Sequence, residues 1–359
     1  MKWYNKAKKL ETEEFPMKKI VCFGEVMMRL APEGYLRFLQ EDKLQATFGG
    51  AEANVSVSLA NYGLNPFFVS KIPANPIGDA CLNSLRYFGV DTFLAVRGGP
   101  RLGIYFCEKG SNMRPSKVVY DRAGSSIASA EPSDFDWDAI LDGAQWFHFT
   151  GITPAVSDQT AQITLDAVKK CREKGITVSC DLNYRKNLWS REKAGQVMGE
   201  IVKYVDVLIA NEEDSADVFG IHAASTNIES GKLDEEGYKS VARQLVERFG
   251  CKYIAITLRE SFSANHNDWS GLLYSAKEDR FFKSKKYSIK NIVDRVGGGD
   301  SFGAGLIYGM NSGMDDQQTV EFAVAASALK HTIEGDYNRA TVAEVKNLMG
   351  GSVSGRVQR

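Results

Sequence analysis

A chain of 359 residues, 43% of them hydrophobic, is long enough to bury a sizeable core as one large domain or two. Its 44 basic and 45 acidic residues leave a formal net charge of −1, which argues against a general nucleic-acid binder, a class that carries a basic excess. Six cysteines without a close C-x-x-C pair read as buried or incidental thiols, and with no run near the ~20 apolar residues of a membrane span they point to a soluble protein of the reducing cytoplasm.

Residues 1–16 carry Lys2, Lys6, Lys8 and Lys9 but no apolar core of signal-peptide length, so a loose extension is expected ahead of a folded unit spanning 17–349. The run Ile20–Phe23 reads as a buried strand. From Arg29 to Phe48 the pattern turns irregular, which suits a partly exposed flap. Gly49-Gly50-Ala51-Glu52-Ala53-Asn54 then opens a helix with Ala53, Val57 and Ala60 on one face. The glycine pair reads either as a plain cap or as close backbone approach to a ligand, with Asn54 presenting an amide. Phe67–Ser70 predicts the next strand, and Asp79–Phe88 a helix stopped by Gly89. Leu102–Phe106 and Lys117–Arg122, joined by the turn-rich 110–115, predict a hairpin carrying Tyr105, Tyr120 and Arg122. Segments of about 29–48 and 96–125 are thus expected to form a small β-strand lid.

From residue 146 strands and helices alternate. Strands are predicted at Trp146–Phe149, Thr177–Asn183, Val205–Ala210 and Tyr253–Thr257, and helices near 157–174 and 191–204. A polar insert falls near 222–237, and a hairpin is expected from Gly271 onward. Such units imply a mainly parallel sheet covered by helices on both faces, with ligands beyond the carboxyl ends of the strands. Polar residues cluster at two of those ends: Asp181, Asn183 and Arg185, then Asn211-Glu212-Glu213-Asp214. The tail from Gly350 to Arg359 is Gly/Ser-rich at its start and expected to fray.

The most informative stretch is Asp294-Arg295-Val296-Gly297-Gly298-Gly299-Asp300, followed by Phe302, Leu306 and Met310 at helical spacing. Glycines that open into a helix N-terminus offer unpaired N–H groups and a favourable dipole to an anion. An acid in that first turn, Asp300, points to phosphoryl chemistry. The glycines alone could equally form a plain turn. The stretch is neither a Walker A loop nor a dinucleotide fingerprint. His148, His222, His266 and His331 lack metal-ligand spacing, and His148 reads as a core residue.

On Gly49-Gly50, Asn211–Asp214 and the loop 294–300, the chain resembles the ribokinase-like sugar kinases of the PfkB family over about residues 18–349. Gly24–Leu30, Tyr120–Ser125, Asp181–Arg185 and Asp294–Phe302 look most like its 2-keto-3-deoxygluconate kinase branch. Arg295 and Val296 stand where the family usually has Thr and its neighbour, and Gly298 where Ala is commoner. The resemblance implies a three-layer α/β/α core with a mainly parallel sheet and a small β-strand lid, and ATP-dependent phosphorylation of a sugar acid. Asp300 corresponds to the general base, and the N–H groups of Gly297, Gly298 and Gly299 to the anion hole. Gly49, Gly50, Ala51, Asn54, Tyr105, Tyr120, Arg122, Asn183 and Arg185 match substrate-binding positions. Asn211, Thr257, Arg259, Gly297, Gly299 and Asn338 match nucleotide-side positions, and Asp214 a Mg²⁺ position. The resemblance implies ATP and Mg²⁺, admits a monovalent cation, and suggests a homo-oligomer through the lid. A kinase for fructose or another ketose, and a non-catalytic sugar-acid sensor on the same scaffold, are the alternatives.

Overall fold

The structure, a computed structural model, describes residues 18–222 and 235–351. The expected extension 1–16, most of the polar insert and the end of the tail lie outside the described residues.

Alternation within the central strands builds the core. Val21 and Phe23 join one apolar cluster with Phe147, Phe149, Val178 and Cys180. Ile20 and Cys22 face the other way with Trp146 and Val207. Both faces of the sheet are therefore buried, as the near-continuous apolar runs require. Among the described residues the large sheet has nine strands. Its parallel centre runs Asn65–Val69, Lys19–Phe23, Ala144–Thr150, Thr177–Asp181, Val207–Ile209 and Tyr253–Ser263. The antiparallel strand His266–Ser275 follows, paired in turn with Arg280–Lys283 and Tyr287–Ile289. The helices Ala51–Asn61, Gly298–Asn311 and Asp316–Lys330 supply one outer layer. Asp158–Lys174, Arg191–Ile201 and Glu235–Phe249 supply the other.

A separate four-stranded sheet has the order Gln45–Gly49, Met27–Ala31, Gly103–Glu108, Lys117–Asp121. The expected flap and hairpin thus pair with each other, through parallel Met27–Ala31 and Gly103–Glu108. The sheet begins at Met27 rather than near Arg29. Val96 and Arg97 lie outside it and pair with Lys71 and Ile72. The strand expected to stop at Thr257 continues to Ser263, because its polar second half is paired along His266–Ser275. All six cysteines are buried and unpaired. No helix of the described residues is long and apolar enough to cross a membrane.

Candidate active site

The site forms where helix Ala51–Asn61, the turn into helix Gly298–Asn311 and the carboxyl ends of the central strands converge. Glu52 pins the first of these. Its buried carboxylate accepts from the Thr150 N–H at 2.9 Å and from the Thr150 and Thr153 hydroxyls at 2.7 Å. Burial pushes its pKa up to about 7, against the opposing pull of those hydrogen bonds. Two residues ahead of Glu52, Gly50 meets the carbonyl of Glu25 so closely that a Cβ would lie 2.0 Å from it. The space around Gly50 is thus taken up by the chain's own backbone, which by itself requires glycine there.

Asn54, thus fixed, donates from Nδ2 to Asp300 Oδ2 at 2.7 Å. Burial pushes the Asp300 carboxyl up to about 6, with the Asn54 bond pulling the other way. Gly297 precedes the helix at φ 82, where a Cβ would stand 2.1 Å from the Asp336 carbonyl, so no side chain fits. Ser327 Oγ donates to the Gly298 carbonyl at 2.7 Å, and Ser301 Oγ to the Gly297 carbonyl at 2.8 Å. The N–H groups of Gly297, Gly299 and Asp300, at the start of the helix, have no hydrogen-bond acceptor among the described residues. The Gly298 N–H is different: it donates to the Arg295 carbonyl at 3.2 Å. Three free donors at a helix N-terminus, one of them on Asp300 itself, make an anion cradle beside a carboxylate.

Arg185 is exposed, and among the described residues its side chain makes one hydrogen bond, to the Tyr184 carbonyl at 3.1 Å. Its charge acts on Asp300, Asp181 and Asp214 alike. Burial, then Asp214 and Asp300, push Asp181 well above the ordinary carboxylate range. Burial likewise pushes Asp214 up to about 6, although Arg185 and the Tyr184 N–H hold it down. Asn211 caps helix Glu212–Phe219, accepting from the Asp214 N–H at 2.7 Å. Asn183 sits in the left-handed region at φ 39, where the strand end turns into this cluster.

Other expected site residues are already committed. Arg122 is buried and forms an ion pair with Glu25, and its buried Nε has no partner among the described residues. Tyr105 is also buried, and its hydroxyl donates to Asp336 at 2.5 Å instead of standing free in the cleft. Tyr120 is exposed beside the Tyr105 ring, with the Arg122 guanidinium over its own ring at 5.5 Å. Asn338 corrects an expectation. It is 1% exposed, and its amide is bound to the Tyr62 hydroxyl, the Ala326 carbonyl and the Ala340 N–H, so it lies in the core and not on an open nucleotide face. Thr257 is half-buried opposite Gly271, and Arg259 is exposed. Arg259 and Arg295 both flank His331, whose ring lies against Gly298 and whose pKa is held at about 4, chiefly by burial. His148 is a core residue, as expected, with Nδ1 at 2.9 Å from Ser179 Oγ.

The residues that sequence reasoning missed lie beneath the glycine loop. Arg29 donates to Asp294 at 2.6 Å and to Asp336 at 2.7 Å, all three side chains being buried. Lys330, fully buried, donates to the carbonyls of Asp294 and Ile333, both at 3.2 Å. Two cations thus balance two carboxylates. The available signal was alternation in Met27-Met28-Arg29-Leu30-Ala31, which places Arg29 on the inward face with Met27 and Ala31.

A carboxylate beside free helix N-terminal donors, at the carboxyl ends of a doubly covered parallel sheet, is an arrangement suited to phosphoryl transfer, and the fold that carries it is ribokinase-like. Residues 17–341 match the model of the pfkB family carbohydrate kinases, and the chain belongs to that family. It is a carbohydrate kinase. It is 30% identical to the 2-dehydro-3-deoxygalactonokinase of Haloferax volcanii over 338 residues, which are 94% of this chain and 98% of that one. It is 27% identical to the 2-dehydro-3-deoxygluconokinase of Bacillus subtilis over 88% of this chain and 90% of the relative. The crystal structure of 2-dehydro-3-deoxygluconokinase from Thermotoga maritima superposes with a TM-score of 0.89 at 50% identity, covering 93% of this chain and all of that one.

Proposed function

We infer that this kinase transfers the γ-phosphoryl group of ATP to the terminal hydroxyl of 2-keto-3-deoxygluconate, giving 2-keto-3-deoxy-6-phosphogluconate. The observation that carries the reading is the 2.7 Å bond from Asn54 to Asp300. It joins the expected sugar-side helix to a carboxylate standing among the free N–H groups of Gly297 and Gly299. Asp300 would accept the hydroxyl proton as the oxygen attacks, and the loop N–H groups and helix dipole would hold the charge on the transferred group. Gly298 supports the loop through its bond to Arg295 and is not itself a donor to the phosphoryl group. The small sheet would act as the lid over the sugar. Its exposed Val118, Val119 and Tyr120 also support pairing of two copies through that sheet.

The residues present suit Mg²⁺. Asp181 and Asp214 are oxygen donors whose pKa values are raised first by burial, then by neighbouring acids, Asp214 and Asp300 for the one and Glu213 and Asp217 for the other, a local excess of negative charge that a divalent ion would relieve. Among the described residues no three acidic, His or Cys side chains form a complete cage. That agrees with an ion held by one or two carboxylates, waters and phosphates. Bound there, Mg²⁺ would neutralise charge on the nucleotide phosphates. Arg259, with Thr257 on the same strand, would face the nucleotide.

Two features support a sugar acid: 50% identity to the Thermotoga maritima enzyme, and the exposed guanidinium of Arg185, which has no carboxylate ion-pair partner among the described residues and whose charge acts on Asp300. Arg122, neutralised by Glu25, would orient the sugar more than hold its carboxylate. The relative named for deoxygalactonate supports the C4 epimer as a second reading. A coupled ADP-release panel of both epimers, fructose, ribose and gluconate tests these. The highest kcat/KM is expected for 2-keto-3-deoxygluconate, and ligand binding without ADP release would establish the sensor instead. Arg185→Ala should raise KM for the acid by roughly 10- to 100-fold, as expected for one charge-assisted contact. KM for a neutral sugar should change little, and equal effects on both would remove the carboxylate role.

The Asp300 carboxyl gives a pH prediction. As the base it works deprotonated, and its pKa is pushed up to about 6. Activity is therefore present above that pH and lost as pH falls through it. The profile of kcat/KM should show an acid limb bending near pH 6. A limb bending near the ordinary carboxylate value of about 4 would contradict the assignment.

A further inference from the structure

Arg295 and Val296, which depart from the usual family pattern, lie with Asp294 directly ahead of Gly297. Each of the three is tied to the small sheet by a different force. Asp294 is ion-paired with Arg29 of strand Met27–Ala31 at 2.6 Å. Val296 packs against Met27, Ala31, Tyr105 and Cys107, an apolar cluster drawn from two strands of that sheet. Arg295 reaches the sheet through the turn 263–265, donating to the Ala264 carbonyl at 2.7 Å. On its other side this turn holds the hairpin tip. The Ala264 N–H donates to the Asn112 carbonyl at 2.7 Å, and the Asn112 N–H to Asn265 Oδ1 at 2.6 Å.

The same three residues are wired into the loop. The Arg295 carbonyl accepts from the Gly298 N–H, and the Asp294 carbonyl accepts from Lys330, whose Cε lies under Gly297. A displacement of the small sheet therefore pulls on the segment that sets the loop peptides.

We propose that Asp294-Arg295-Val296 couples the seating of the small sheet to the geometry of the glycine loop, with Arg295 and Val296 as positioning residues for phosphoryl transfer. The proposal rests on the reading of that loop as the phosphoryl site. With the sheet seated, the donors are aligned and water is kept from the γ-phosphorus. With the tie cut, water competes with the sugar hydroxyl: its oxygen attacks phosphorus, the bond to the ADP oxygen breaks, and inorganic phosphate and a proton are released.

The test uses the full chain with ATP, Mg²⁺ and the sugar acid, measuring sugar phosphate and inorganic phosphate separately. Arg295→Ala and Val296→Ala should lower kcat by on the order of 10- to 100-fold, the effect of small misplacements at a reacting centre. Both should raise the ratio of inorganic phosphate to sugar phosphate by about tenfold through water entry. Arg295→Lys, which keeps a donor for the Ala264 carbonyl, should recover part of both. An unchanged ratio in Arg295→Ala and Val296→Ala overturns the coupling, whether kcat falls or not, since a merely structural loss scales both products together. Asp300→Asn is run alongside. Full turnover in that variant overturns the site reading itself, whereas an inactive Asp300→Asn with an unchanged ratio in the other two overturns the coupling alone.

Discussion

Asp300→Asn should lower kcat by about 10²- to 10⁴-fold, the range that a positioned general base contributes. Sugar binding should survive, because an Asn at 300 still offers an oxygen to Asn54 Nδ2, which now bonds Asp300 at 2.7 Å. Folding should survive too. Burial raises the Asp300 pKa to about 6, so its charged form is disfavoured in the folded state relative to the unfolded chain. At pH 7 the carboxylate therefore costs stability, and a neutral amide of the same shape removes that cost. Unfolding temperature should stay level or rise, while calorimetric sugar affinity remains within a few-fold of wild type. A kcat near wild type would falsify the base assignment; a collapse of sugar affinity together with kcat would instead make Asp300 a binding residue.

The sequence yielded its α/β architecture because the physics there is local. Ile20–Phe23 and Trp146–Phe149 are apolar on both faces, which only a strand covered on both sides satisfies. The glycine run and Asp300 were legible because a helix N-terminus imposes its own short-range pattern. Long-range pairing was hidden. Arg29 looks like the start of a solvated flap, since its partners Asp294 and Asp336 are 265 and 307 residues away. Tyr105 and Arg122 read as free ligand contacts for the same reason: Asp336 and Glu25, which occupy them, are distant in sequence. Strand Tyr253–Ser263 seemed to end early because its second half is polar, and only its neighbour His266–Ser275 keeps it extended. Asn338 failed differently. A polar residue after a helix suggests an open loop, yet its amide closes three internal hydrogen bonds in the core.

Arg29→Ala should be the most destabilising single substitution in the loop's support, costing about 3–5 kcal/mol, as when one partner of a buried ion pair is removed. Burial alone would disfavour the Arg29 charge, but Asp294 and then Asp336 outweigh it and hold its pKa above the ordinary arginine value. Without Arg29, two carboxylates about the same buried centre face only Lys330, whose ammonium already serves the Asp294 and Ile333 carbonyls. Asp336 retains the Tyr105 hydroxyl at 2.5 Å, and Asp294 retains the Val296 N–H at 3.1 Å. These bonds stabilise carboxylates but do not neutralise them. Most of the loss should therefore be uncompensated charge, not lost packing. A double-mutant comparison separates the two. In an Asp294→Asn, Asp336→Asn background, Arg29→Ala should cost far less than it costs in wild type, because the carboxylates that Arg29 neutralises are already gone while the packing it loses is the same. Urea unfolding of the four proteins measures this directly. Equal losses in both backgrounds would mean that Arg29 supports the loop by packing alone.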